Sequence, residues 1–284
     1  MSSADESLGT EDWAGDQGRN WLAHLQRFEG MIAPIGAALM THAAFRPGER
    51  VVDIGCGGGG TTINIGRSVS PGGHVTGVDI SEDLILSACA RASMGTQSDV
   101  RFVCADAATV VVTGAPFDRL FSRFGSMFFQ DAAAGFRNLR RMVRDGGRID
   151  LAVWTPPLEN QWMATARAAL ADVLTPPESP PDPHAPGPFA FADTAYLTQV
   201  LAQAGFGDVA VTPCERALPI GGAGATPREG ATFILTATTL AQLVPEDRRD
   251  AAIDALAAAF APHHVPGKGN LLTGKAWLVT ARAQ

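Results

Sequence analysis

With 29 acidic against 22 basic side chains and a formal charge of −7, this 284-residue chain can bury a large core, yet shows no electrostatic footprint for nucleic acid, since lysine is nearly absent and the arginines are scattered. No stretch offers about 18 consecutive apolar residues, and Met1 to Asp16 is polar and acidic, which disfavours membrane spanning and secretion and leads us to expect a cytoplasmic protein. Cys56, Cys89, Cys104 and Cys214 are widely separated, lack metal-ligand spacing, and read as reduced, mostly buried thiols.

The first predicted elements lie between Trp13 and Phe45, where Trp21, Leu22, Leu25, Phe28 and Ile32 recur at helical spacing and Pro34 marks a break before a second helix. Val51-Val52-Asp53-Ile54 then reads as a buried parallel strand, followed by Gly55-Cys56-Gly57-Gly58-Gly59-Gly60 and a helix opening near Thr61. Glycines there let a small molecule lie on bare backbone, against the free N–H groups of the helix start. Two cofactors fit this turn. Gly55-x-Gly57-x-x-Gly60, with Asp79 about 20 residues on, satisfies the dinucleotide fingerprint. Asp53, two residues before the first glycine, suits instead a cofactor with a cationic amino-acid end, because a pyrophosphate would be repelled there.

Three later segments continue the pattern: His74 to Ser81, a strand ending in Asp79; Val100 to Ala107, a strand and turn carrying Asp106; and Phe117 to Phe124, a strand ending in Ser122-Arg123. Gly146 to Trp154 adds a glycine turn and a fifth strand. Taken together, residues 46 to 154 resemble the class I S-adenosylmethionine-dependent methyltransferases, with Asp53-Ile-Gly-Cys-Gly-Gly-Gly as the family's first motif. The resemblance implies a Rossmann-like, doubly wound α/β fold with a seven-stranded sheet and an antiparallel last strand, elaborated by helical lid and cap segments. It implies S-adenosyl-L-methionine as cofactor and S-adenosyl-L-homocysteine as product. The cofactor residues carried over are Asp53, Gly55, Gly57, Gly59, Thr61, Asp79 (both ribose hydroxyls), Ile80, Asp106 (the adenine amino group), Ala107 (a ring nitrogen, through its amide) and Ser122 (through its backbone). Each acid also reads singly as a strand end or a helix cap.

The whole chain reads as one elaborated domain: a lid over 1–45, a cofactor core over 46–154, cap insertions over 155–192 and 227–264, and the rest of the core in 193–226 and 265–284. After the segment Trp154 to Trp162 we expect a helical run to Leu174, a proline-rich loop over 175–188, and a helix capped by Asp193 or Thr194. Asp208–Thr212 and Ala276–Ala281 read as strands six and seven, with helical segments near 227–241 and 245–261 between them.

The chemistry is less legible. Methyl transfer needs alignment, and for a hydroxyl or amine also loss of a proton. His24 is the favoured base among lid and cap histidines. Arg123, after the fourth strand, is placed to clamp an acidic oxygen of the acceptor, or to pair with Asp106 or Asp131. Trp21, Phe28, Asn160, Trp162 and Tyr196 are candidate lining residues. No metal is expected, because Ser122-Arg123-Phe124 stands where metal-dependent relatives present carboxylates. The resulting expectation is a metal-independent methyltransferase, monomeric or homodimeric, acting on oxygen, carbon or nitrogen of a small, partly apolar metabolite, with no nucleic-acid or membrane partner. Alternatives are a non-methylating use of the same cofactor, a nicotinamide oxidoreductase, and a cofactor-binding protein without turnover.

Overall fold

The computed structural model describes residues 13–94, 99–174, 182–238 and 240–284. Two helices come first, α1 (Asp16–Ala23) and α2 (Leu25–Ala43). They part at His24, whose φ of −113° and ψ of 16° leave the helical region. The break expected at Pro34 does not occur, and α2 runs straight through it. Met31, Ile32, Ile35 and Leu39 are buried on either side of the proline, and their burial outweighs the one backbone hydrogen bond that its ring removes.

The core then alternates strand and helix: β1 (Arg50–Ile54), α3 (Gly60–Val69), β2 (His74–Asp79), α4 (Glu82–Ser93), β3 (Val100–Cys104), β4 (Phe117–Arg123), α5 (Ala132–Met142) and β5 (Val143–Trp154). These strands pair in parallel, and β-branched Val51, Val52 and Ile54 put β1 in the middle with almost no exposure. Beyond them come α6 (Gln161–Ala169), α7 (Thr194–Gln203), β6 (Phe206–Ile220), α8 (Pro227–Ala237), α9 (Leu240–Leu243), α10 (Arg249–Phe260), β7 (His264–Val265) and β8 (Gly269–Ala283). The sheet order is β3-β2-β1-β4-β5-β8-β6, with the two-residue β7 paired to β8 and β8 antiparallel to both its neighbours. The sheet is therefore of the expected Rossmann-like kind, with its reversed strand inserted before the edge.

Both closing strands are much longer than their sequence pattern suggests. Each runs for 15 residues, paired from Phe206↔Ala283 to Ile220↔Asn270. Pro213 and Pro219 hide this in the sequence, and they are tolerated because β6 is an edge strand whose proline nitrogens need only face away from β8. The helix expected after Trp162 instead starts at Gln161 and ends at Ala169, short of Leu174, and Asp193 caps α7 by accepting from the amides of Ala195 and Tyr196. Part of the proline-rich loop, 175–181, lies outside the described residues. Of the four thiols, Cys56 and Cys214 are buried and Cys89 and Cys104 exposed, so burial holds for only two; the surface pair sit at α4 and at the end of the edge strand β3.

One feature of the core was not visible in the sequence. Asp150 on β5 is 0% exposed and accepts hydrogen bonds at 2.6 Å from Arg119 and at 2.6 Å from Arg148. The same arginines donate to the carbonyls of Ala43 and His42 at the end of α2, and Arg119 also reaches Glu49 and lies over the Phe45 ring. Removing the buried carboxylate leaves Arg119 with Glu49 as its ion-pair partner and Arg148 with none among the described residues, so Asp150→Ala is expected to cost about 3–5 kcal/mol in urea unfolding. Asp145→Ala, at the exposed pair with Arg140, is expected to leave the midpoint unchanged.

Candidate active site

Open α/β sheets bind ligands at the carboxyl ends of their strands. Here the Gly55 turn follows β1, Asp79 ends β2, Asp106 follows β3, Phe124 follows β4 and Trp154 ends β5. All five line one cavity of about 350 Å³, closed from above by α1, α2 and the end of α8. That volume falls among small-molecule sites.

One side of the cavity is backbone and carboxylate. Gly55 has φ +65°, and a Cβ there would stand 2.6 Å from the Cα of Gly125, so the β1 turn and the β4 turn touch main chain to main chain. The amide of Gly57 donates to Asp79 Oδ2 at 2.8 Å and that of Ser81 to Oδ1 at 3.0 Å. Each oxygen keeps a lone pair for a further donor, which is what paired ribose hydroxyls require. Burial nonetheless raises the Asp79 pKa, against the backbone hydrogen bonds that lower it. Asp106 accepts from the amide of Ala108 at 2.8 Å, and Asp106, Ala107 and Ile80 all belong to the wall. These residues, together with a glycine turn that no side chain fills, fit a nucleoside carrying an amino-acid tail.

Much of the rest of the lining is aromatic, and Trp21 reaches the glycine turn itself, its indole nitrogen 3.8 Å from where a Cβ on Gly57 would stand. Trp21 stacks on Phe28 with ring centroids 3.9 Å apart, and Phe124 stacks on Trp154 at 4.2 Å. Phe124 is held at φ +63°, a left-handed conformation that turns β4 sharply at the site. Trp162, from α6, and Phe189, from the loop before α7, complete this wall.

Several expected residues lie elsewhere. Asp53, 1% exposed, sits behind the wall and accepts from Thr62 Oγ1 at 2.7 Å, so its carboxylate meets the helix start and not the cavity. Gly59 caps α3 in a left-handed conformation, where a Cβ would stand 2.8 Å from Ala88, and Thr61 is buried in the first turn of that helix; neither belongs to the wall. Ser122 is buried, donating to the Ile54 carbonyl and accepting from the Ser126 amide, and so joins β4 to β1. Asn160 donates to Thr155 and Pro156 and accepts from the Lys275 amide, a structural knot. Tyr196 stacks on His184 outside the cavity. His24 is also outside, edge-on to Phe28 and Phe233, its pKa lowered by burial and by Arg27. Arg123 is on the wall, and it pairs with neither Asp106 nor Asp131, whose carboxylates cap their own turns.

Glu29 escaped the sequence reading. It lines the cavity and forms a two-pronged ion pair with Arg91 of α4, at 2.8 and 3.0 Å, while Arg91 also donates to the Gly58 carbonyl at 2.7 Å. This clamp fastens the lid to the glycine turn. Its only trace in the sequence is one acid beside the apolar stripe of α2. Among the described residues, no group of three or more His, Cys, Asp or Glu side chains could hold a metal ion, and no helix is long and apolar enough to cross a membrane.

Residues 51–147 match the family model described as a methyltransferase domain. Nocamycin O-methyltransferase of Saccharothrix syringae is 30% identical over 124 residues, 44% of this chain and 44% of that protein. An uncharacterised protein of Mycobacterium tuberculosis is 31% identical over 128 residues, 45% of each chain. The matched region is thus less than half the length of these curated relatives. Among solved structures, phosphoethanolamine N-methyltransferase 2 of Haemonchus contortus, determined with S-adenosyl-L-methionine, gives a TM-score of 0.58 at 16% identity, covering 100% of this chain and 62% of that one. The YcgJ protein of Bacillus subtilis gives 0.56 at 18% identity, covering 88% and 98%. At such identities the solved structures speak for the fold.

Asp53 offers a test of the buried acid. Burial, partly offset by Thr62 and Arg123, pushes its pKa up to about 7. The folded state then binds more protons than the unfolded chain between the usual carboxylate range and neutrality, so this group's contribution to stability falls as pH rises through that window and is level above it. Asp53→Asn is expected to match wild type near pH 4 and to exceed it increasingly up to pH 7, with a slope no steeper than about 1.4 kcal/mol per pH unit. Urea midpoints of both proteins across pH 4–8 check this; parallel curves would show that Asp53 is not taken up as an acid.

Proposed function

Residues 51–147 belong to the class I S-adenosylmethionine-dependent methyltransferases, and from that premise we propose that the protein methylates oxygen, carbon or nitrogen of a small, largely apolar acceptor. The observation that carries this reading is a single cavity with two kinds of lining: a glycine turn with Asp79 and Asp106, and stacked aromatics. S-adenosylmethionine, when bound, supplies a methyl group on a positively charged sulfur.

In this reading Asp79 accepts from the ribose hydroxyls, Asp106 and the Ala107 amide meet the adenine edge, and Gly55 and Gly57 offer bare backbone between them. Phe124, Trp154 and Trp162 hold the acceptor flat and exclude water, which strengthens every charge interaction inside the cavity. Among the described residues the titratable side chains on the wall are Cys56, Glu29, Asp79, Asp106 and Arg123, and no histidine is among them. Rate acceleration by alignment alone is therefore the working mechanism, with the acceptor's proton released to bulk solvent outside the aromatic enclosure.

The relatives' names, an O-methyltransferase for nocamycin and an N-methyltransferase for phosphoethanolamine, support a small acceptor. The aromatic wall favours an apolar one. Arg123 is the wall's one cation among the described residues, a thin receptor for a phosphate dianion. Use of the cofactor without methyl transfer is the second reading; intact cofactor after turnover of the acceptor would establish it.

The function is tested by incubating the full chain with methyl-labelled S-adenosylmethionine and a panel of aromatic alcohols, enols and amines. Methylated product with an equal amount of S-adenosylhomocysteine is the expected result, and label transfer to none of them, with no cofactor bound, would refute the reading. Asp79→Ala is expected to weaken cofactor binding by about 1.5–3 kcal/mol in calorimetry. His24→Ala is expected to keep kcat within about threefold of wild type; a loss of about a hundredfold or more would make the histidine a base, since that is what a positioned base contributes.

A further inference from the structure

Arg123 lines the cavity half-buried, with no hydrogen-bond or ion-pair partner among the described residues, and desolvation lowers its pKa. Such a group calls for an anion. Its nearest carboxylates, Glu29 and Asp53, are engaged elsewhere: Glu29 with Arg91, and Asp53 with Thr62. The guanidinium reaches the cavity past Gly36 of α2, where a Cβ would stand 3.0 Å from Arg123 Cδ and Nη1. Two residues along the chain, Gly125 lies in main-chain contact with Gly55. Arg123 therefore lies on the cavity wall two residues from the contact between the glycine turns, with two carboxylates, Glu29 and Asp53, as its acidic neighbours.

An unpaired cation next to Glu29 is a receptor for a zwitterion. We propose that Arg123 receives the carboxylate, and Glu29 the ammonium, of the cofactor's amino-acid end. This rests on the methyltransferase reading. It reassigns the guanidinium from the acceptor, where strand position alone had put it. Glu29 would then have two tasks, holding the lid to the glycine turn through Arg91 and facing the ligand's positive end.

The test compares two ligands by calorimetry on the full chain: S-adenosylhomocysteine, which has the amino-acid end, and 5′-methylthioadenosine, which lacks it. Wild type should bind the first much more tightly. Arg123→Gln should lose about 10- to 100-fold for S-adenosylhomocysteine and nothing for 5′-methylthioadenosine, with Glu29→Gln showing a smaller loss of the same kind. Gly36→Ala, which displaces the guanidinium without removing it, should reproduce the selectivity loss even if Arg123→Gln folds poorly. Unchanged S-adenosylhomocysteine affinity in Arg123→Gln would overturn the proposal and return the residue to the acceptor. Equal loss of both ligands would overturn it in favour of a structural role. A wild type that binds neither ligand would instead remove the methyltransferase reading, and this proposal with it.

Discussion

A carboxylate without water around it fixes the helix that closes the site. Asp150 lies at the heart of the sheet, and its two arginines extend to the last carbonyls of α2. A buried carboxylate is favourable only while both arginines hold it, and the same arginines hold the helix end, so the network restricts where that end can sit. With that end fixed, the 19-residue helix runs back along the sheet and presents Phe28, Glu29, Met31 and Ile32 to the cavity. At the cavity end, Glu29, Arg91 and the Gly58 carbonyl make the second attachment. The helix that continues unbroken through Pro34 is thus held at two places, by charge at both.

The cavity divides its labour by chemistry. The turns after β1, β2 and β3 offer backbone amides and acids, which recognise a ligand by hydrogen bonds of fixed direction. The segments after β4 and β5, with the lid and the cap, offer rings, which recognise area and shape. The two kinds of wall meet because Gly55 and Gly125 let two turns approach main chain to main chain. A side chain at either place would separate the β1 turn from Phe124 and its partner Trp154, and so pull the two halves apart. Arg123 is the one cation on this wall among the described residues, so its charge is a constraint on what the cavity can hold.

Histidine 24 shows how an expectation from residue type fails. Its position in the lid and its ordinary titration range suit a base, yet its backbone forms the joint between α1 and α2 and its ring packs against Phe28 and Phe233. Asn160, expected to line the site, likewise holds the frame together, and Ser122, expected to act through its backbone, spends its hydroxyl on joining β4 to β1. A polar side chain inside a protein must first satisfy itself, and the nearest backbone usually does that.

The sequence by itself determined the parallel core, the glycine turn and the acids Asp79 and Asp106, because each depends on residues adjacent in the chain: β-branched runs, glycines at fixed spacing, an acid at a strand end. The reversed strand was legible in outline and not in length, since prolines read as terminators wherever the edge of the sheet is unknown. Tertiary structure alone decided the rest. Asp150 finds its arginines 31 and 2 residues away, Glu29 finds Arg91 62 residues away, and the aromatic wall gathers Trp21, Phe124, Trp154, Trp162 and Phe189 from five separate segments. Periodicity tells which face of an element is apolar, but only packing tells which other face it meets, and so the half of the site made of backbone could be read from the chain while the half made of side-chain surfaces could not.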